Sequence, residues 1–287
     1  MIHIATVHWL DDIWVDIQLA YFEKYLKIGS YSVYAFLNGI DAEKYRERVH
    51  YICTEPIQPH VTKLNLLAEE ICRQADAEDI IYFIDGDAFP VGDIDRYVAD
   101  TLKEFDLVAI QRLENQGDPQ PHPSFCATTV GFWQEIDGNW GQGPFWKSTA
   151  DRLRTDTGAL LWENLHKRGI DWQPMLRSNV LNLHPLWFGL YHDLIYHHGA
   201  AFRTPYCMVD IQNARKVWWK RFFMHVADSR LGTLGRGWVQ NAIYSFAMKK
   251  QIRQALDNSQ ALITDIKKDF NFAQQFKEVK SEVRQRS

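Results

Sequence analysis

The first hundred residues alternate between two hydrophobic periods. Residues 2–8 and 31–37 are short apolar runs rich in strand-formers. Between them Ile13, Ile17, Tyr21 and Tyr25 recur at helical spacing. Asp11 or Asp12 stands where a helix cap belongs, Gly29 where that helix stops, and Asn38-Gly39 where the second strand ends. Residues 49–53 read as a short third strand. Residues 63–75 read as a helix with Leu64, Leu67, Ile71 and Ala75 on one face. The wholly apolar run 80–84 predicts a strand buried on both faces. A short helix ending at 102–105 and a strand over 106–111 follow it. This β-α-β-α-β order predicts an α/β fold: a mostly parallel sheet flanked by helices.

Beyond that point the pattern changes. Residues 115–123 are rich in Pro, Gly and polar side chains and read as a loop, and 125–133 as a strand. Residues 137–144 hold three glycines and read as a mobile segment suited to closing over a ligand. Thr155-Asp156-Thr157-Gly158 opens a helix that stops near Gly169, and 180–184 and 194–198 read as late strands. After Pro205 the chain turns helical, with Trp218, Trp219, Lys220, Arg221, Phe222 and Phe223 basic and aromatic together. We expect one catalytic domain over residues 1–205 and a helical C-terminal extension, 206–287, packed on it.

Composition narrows the class. The chain has 287 residues, 46% hydrophobic and 24% charged, as expected of a soluble globular protein. A net charge of -4 argues against a general nucleic-acid partner. Cys53, Cys72, Cys126 and Cys207 form no C-x-x-C pair. The first strand lacks the flank and cleavage site of a signal peptide, and no apolar stretch approaches the ~20 residues of a membrane span. A cytoplasmic protein with reduced thiols is the expectation. The phosphate and redox fingerprints G-x-G-x-x-G and G-x-x-x-x-G-K-[ST] are absent, as are G-x-S-x-G and H-E-x-x-H.

The chemistry concentrates where the run 80–84 stops. Asp85 and Asp87, two residues apart, address the same side in an extended or turning segment, and Gly86 between them lets a phosphate approach the backbone. Two acids at the carboxyl end of a buried strand call for a positive partner, and hard carboxylate oxygens suit Mg²⁺ or Mn²⁺. An ordinary Asp-Gly turn explains the same residues without an ion. His197 or His198, on a late strand, offers an imidazole to that ion; neighbours on a strand point oppositely, so one of the two is the ligand. Arg203 offers a fork for a phosphate oxygen. Lys63 and Asn65 stand at a helix start, where a diphosphate is favoured, or serve as a solvated lysine and a cap. Thr6, His8, Trp9 and Asn38 occupy strand tips that line the cleft of a doubly wound sheet. Asp156 is the candidate general base, with helix capping as its plainer role; Asp171 and Asp193 are weaker rivals.

These features together resemble the GT-A class of nucleotide-sugar glycosyltransferases, over about residues 1–205: the strand at the N-terminus, the Lys63/Asn65 helix, Asp85-Gly86-Asp87 and the late histidine. The resemblance implies a GT-A-like (Rossmann-like) sheet. It implies Mn²⁺ or Mg²⁺ on Asp85, Asp87 and one of His197/His198, a UDP-sugar donor, and a glycan or lipid-linked acceptor. No acidic cluster matches the base of the inverting members. Residues 218–223 read first as a buried aromatic helix, with peripheral contact with the inner face of a membrane as the alternative. Two other readings stand beside it: a nucleotidyltransferase making nucleotide-sugars, which normally needs a basic glycine-rich loop where this chain has Trp9-Leu10-Asp11-Asp12, and a non-catalytic carbohydrate-binding or scaffold protein.

Overall fold

A computed structural model describes residues 1–149, 151–199, 208–228 and 238–277. The chain divides into two compact units. The first holds Met1–Leu181, Gly189–Gly199 and the stretch from Phe270; the second holds Asn182–Phe188 and the stretch ending at Asp269.

In the first unit, β1 (Ile2–Trp9), β2 (Tyr31–Asn38), β3 (Tyr51–Cys53), β4 (Ile80–Asp85), β5 (Ala88–Pro90), β6 (Leu107–Ile110), β7 (His122–Thr129), β8 (Trp146–Lys147), β9 (Leu153–Arg154), β10 (Gln173–Met175), β11 (Gly189–Tyr191) and β12 (Ile195–His197) alternate with α1 (Ile13–Tyr25), α2 (His60–Gln74), α3 (Ile94–Thr101), α4 (Val130–Glu135) and α5 (Ala159–Lys167). The main sheet has the order β10-β6-β7-β4-β1-β2-β3. Only β7 runs against the rest: it pairs antiparallel with β4 and β6, while β1 lies parallel to β2 and β4. Both faces are covered. Ile4, Val33, Tyr82, Ile84 and Val108 share one core with Val15, Leu19, Phe22, Ile94 and Val98, and so with α1 and α3. Ala5, Phe36, Ile81, Phe83 and Ala109 share the other with Leu64, Leu67, Ile71, Trp133 and Leu161, and so with α2, α4 and α5. That is why β4 is apolar without alternation: Tyr82 and Ile84 point one way and Ile81 and Phe83 the other, each side chain contributing roughly 1.5–3 kcal/mol of burial.

The chain leaves β1 toward β2 and β3 on one side and returns to β4 on the other. The order therefore reverses between β1 and β4, and the crevice at the carboxyl ends of those two strands is where ligands bind in open α/β sheets. A second, three-stranded sheet, β11-β12-β5, pairs β12 antiparallel with β5, setting His197 opposite Ala88. The chain from Phe270 packs here too: Tyr21 lies 4.8 Å from the Phe270 ring and Tyr196 4.9 Å from Phe272, centroid to centroid.

Three expectations need correction. The run read as a strand over 125–133 is β7 followed by α4, because the Thr129 side chain accepts from Phe132 N and turns the chain into a helix. Residues 180–184 form no strand: Val180 N and Leu181 N both donate to one carbonyl, Phe276 O, rather than to a neighbouring strand. The segment 137–144 is stitched down rather than free, as described below.

The described part of the second unit holds α6 (Met208–Arg215), α7 (Trp218–Asp228), α8 (Trp238–Ala247) and α9 (Lys249–Lys268); α10 (Gln274–Lys277) belongs to the first unit. Ile211, Ala214, Tyr244, Ala247 and Met248 form the core of the second unit. No helix among the described residues is long and apolar enough to cross a membrane.

Candidate active site

The carboxyl end of β4 is held by a residue that the hydrophobic pattern does not single out. Gln18 is buried on α1, and its Nε2 donates to Asp85 O at 2.8 Å and Ala88 O at 2.7 Å, bracketing the Asp85–Ala88 turn. Gly86 sits against the tip of β1. A Cβ there would lie 2.5 Å from Val7 O and 2.8 Å from His8 Nδ1. Glycine is thus required by the neighbouring strand, a reason additional to ligand access.

Pinned in this way, the turn brings three side chains together. Ligand atoms of Asp85, Asp87 and His197 lie within 4.8 Å of one another. His197 Nε2 is 3.4 Å from Asp87 Oδ1 and 3.8 Å from Asp85 Oδ2. The β5–β12 pairing places His197 here, and the strand alternation sends His198 the other way. His198 is buried against the Trp14 ring at 4.6 Å, and its Nδ1 lies 3.0 Å from Tyr196 Oη. Its backbone N donates to Asp87 O at 3.0 Å, and Gly199 N to Asp87 Oδ2 at 3.0 Å. Two carboxylates and one imidazole form a hard, oxygen-dominated donor set that fits Mn²⁺ or Mg²⁺.

The electrostatics favour charged carboxylates. Burial acts to raise the Asp85 carboxyl, but the hydrogen bond and charge of His60, with help from His197, hold it well below the usual range. His60 Nε2 meets Asp85 Oδ1 at 3.0 Å from the first turn of α2. For Asp87, burial is likewise outweighed by His197. Around them lie rings kept neutral. Burial lowers His8 to about 4, against opposing effects of Gln18 and Asp87. It lowers His198 to about 4 as well, with Asp87 opposing. Burial, then the charge of Arg112, pushes His122 well below its ordinary value.

The other expected residues fall as follows. Thr6 Oγ1 donates to Gln18 Oε1 at 2.9 Å, and His8 Nε2 approaches the same oxygen at 3.1 Å. An imidazole facing an amide oxygen presents its N–H, which leaves the buried His8 Nδ1, without a partner among the described residues, as a bare acceptor beside Gly86. Asn38 Nδ2 donates to Glu55 O at 2.6 Å. Lys63 is buried with Nζ 4.3 Å from the centroid of the Trp9 ring, and burial lowers its ammonium. The Asn65 side chain is engaged within the fold: Oδ1 accepts from Trp140 N at 3.0 Å and Nδ2 donates to Asn139 Oδ1 at 3.0 Å. It ties down 137–144, where Trp140 is fully buried against Phe83 and Trp133. Arg203 lies outside the described residues.

Asp156 is half-exposed, accepts from Thr157 N at 2.8 Å, and belongs to a polar network that sequence reasoning missed. Arg112 Nε lies 3.8 Å from Glu114 Oε1, which accepts from Tyr191 Oη at 2.6 Å. Arg154 Nη1 lies 3.5 Å from Asp118 Oδ1, and its Nη2 is 3.9 Å from Asp156 Oδ2. Burial pushes Asp118 up to about 6, with Arg154 and Asn115 opposing. Asp193 Oδ1 accepts from Ser178 Oγ at 2.8 Å, and Asp171 is exposed.

No family model matches the chain, and neither does any curated protein. Solved structures do resemble it. The galactosyltransferase LgtC, in complex with donor and acceptor sugar analogues, matches at 10% identity over 59% of this chain and 72% of its own, with a TM-score of 0.38. TarS of S. aureus matches at 12% identity over 96% of this chain and 54% of its own, with a TM-score of 0.43. The mannosyltransferase PcManGT from Pyrobaculum calidifontis, in complex with GDP-Man and Mn²⁺, matches at 10% over 96% of this chain and 84% of its own, with a TM-score of 0.45. At such identities the likeness is one of fold alone. The site is read from its own sheet order and side chains.

Proposed function

We propose that this chain is a metal-dependent glycosyltransferase that moves a sugar from a nucleotide diphosphate, UDP-sugars first among them, to a hydroxyl of a glycan or lipid-linked acceptor. The observation that carries the reading is the Asp85, Asp87 and His197 cluster at the carboxyl end of β4, beside the point where the strand order reverses. Asp85, Asp87 and His197 would hold Mn²⁺ or Mg²⁺, which when bound supplies a Lewis acid for the charge that develops on a leaving diphosphate. The chain's own residues do the rest. His60 and His197 keep the carboxylates ionised. Gln18 fixes their backbone. Lys63 and, from outside the described residues, Arg203 add positive charge for phosphate oxygens. Trp9, with Thr6, His8 and Asn38 near the same strand tips, offers a flat wall for a base. Asp156 is the proposed acceptor base, in contact range of Arg154. Cys53, Cys72 and Cys126 are free thiols, consistent with work in the cytoplasm.

The nucleotidyltransferase reading fares less well. The turn after β1 is acidic, with no basic glycine-rich loop, and Asp11 Oδ1 accepts from Ile13 N at 2.9 Å where α1 begins. The test is release of free nucleotide from a panel of UDP-, GDP- and other nucleotide-sugars with Mn²⁺ or Mg²⁺, run beside Asp87→Asn. Metal-dependent release lost in the variant supports sugar transfer. Release that is equal in the variant, or turnover of a sugar-1-phosphate with a nucleoside triphosphate instead, contradicts it.

A further inference from the structure

The second unit presents a face that its own core does not explain. Trp218 is 82% exposed, Phe222 65% and Phe246 62%. Trp218 and Phe222 are four apart on α7 and share a stripe. Phe223 links α7 to α8: its ring lies 5.5 Å from Phe246, 5.9 Å from Phe222 and 6.3 Å from Trp219. Large apolar rings left in water in one contiguous patch mark an interaction surface.

Charge says what kind. Residues 211–256 contain nine Lys or Arg and a single acid, Asp228, a net of +8, in a chain whose total is -4; all other residues together carry -12. Lys216, Arg221, Lys249 and Lys250 are exposed, and none has an acidic partner among the described residues. Lys220, by contrast, is buried, with Nζ 5.5 Å from the centroid of the Trp219 ring. Aromatic rings interleaved with cations on the same few helical turns match the two layers of an anionic bilayer surface: rings at the acyl boundary, cations among the headgroups. A protein partner needs a pocket shaped to each ring; a bilayer needs only the amphipathic face.

We propose that α7, α8 and the start of α9 dock this chain on an anionic lipid bilayer. The inference stands apart from sugar transfer and is tested without any donor. The full-length chain is floated with vesicles of phosphatidylcholine alone, or mixed with phosphatidylglycerol. Co-flotation should be at least about tenfold greater with the anionic vesicles and should fall with added salt. Trp218→Ser/Phe222→Ser should reduce it about tenfold or more while leaving the melting temperature unchanged. Lys249→Glu/Lys250→Glu, which leaves the rings intact, should weaken binding to the anionic vesicles alone. Absence of flotation with either vesicle, equal flotation with both, or undiminished flotation of both double variants overturns the proposal. So does sizing that shows a dimer dissolved by Trp218→Ser/Phe222→Ser in a chain that does not float, since the face is then filled by a second copy.

Discussion

Two loops of the first unit look alike as sequence and behave as opposites. Residues 85–87 and 137–144 both join glycine to acidic or amide side chains near apolar elements. In 137–144 the polar groups are committed within the fold: Asn139 Oδ1 accepts from Gly141 N at 2.7 Å, and Gly143 N donates to Thr155 Oγ1 at 3.2 Å. Trp140 anchors the segment in the core. At 85–87 the backbone is committed to Gln18 and to β12, Asp85 Oδ1 meets His60 and Asp87 Oδ2 takes Gly199 N, while one oxygen of each carboxylate, Asp85 Oδ2 and Asp87 Oδ1, is left facing His197. Glycine and acid content therefore do not distinguish a ligand loop from a structural one. The atoms left without a structural partner do.

Substitutions can break that contrast. Trp140→Ala should cost about 3–5 kcal/mol in urea unfolding, as large core deletions do, with cation affinity of the folded protein unchanged. A loss of cation binding without a loss of stability would make 137–144 a ligand loop after all. Asp87→Asn should do the reverse: cation affinity about 100-fold lower or worse by calorimetry, with stability little altered. Gln18→Ala falls between the two. It leaves Asp85 O and Ala88 O unpaired, so a loss of about 1–3 kcal/mol is expected, together with weaker cation binding as the turn relaxes. A variant as stable as wild type would remove Gln18 from the picture.

The smallest effect is one of pH. His8 and His198 have folded pKa values lowered to about 4, so the unfolded chain binds protons first as pH falls below about 6.5. Stability of the metal-free protein should be flat above about pH 7 and fall by about 1–2 kcal/mol per ring by pH 5. Asp85 and Asp87 are held below the usual range, so they stay ionised through this window and add no slope. Urea midpoints at pH 7 and 5 measure the effect, to which the lowered His122 adds and the raised Asp118 is opposed, and His198→Asn should remove about 1–2 kcal/mol of the fall. An unchanged slope in that variant would mean that His198 is not the buried neutral ring described here.

Much of the fold was legible because burial on both faces leaves a plain mark: an apolar run without alternation, stopped by two acids, gave β4 and the position of Asp85 and Asp87. The direction of β7 was not legible, since period-2 burial is the same for parallel and antiparallel strands. Gln18 looks like any polar residue of α1; its two acceptors are backbone atoms some seventy positions away. His60 stands three residues before Lys63, in the first turn of α2, yet its contact with Asp85 depends on how α2 crosses the strand ends. Of His197 and His198, alternation showed that one faces the acids, and only the β5–β12 register showed that it is His197.

The most direct test is calorimetric titration of UDP in the presence and absence of Mn²⁺ into wild type, His197→Ala and His198→Ala. Metal-dependent binding that His197→Ala loses, and that a folded His198→Ala retains, is the expected result. Metal-independent binding, or equal binding in wild type and His197→Ala, would contradict a cation held by Asp85, Asp87 and His197.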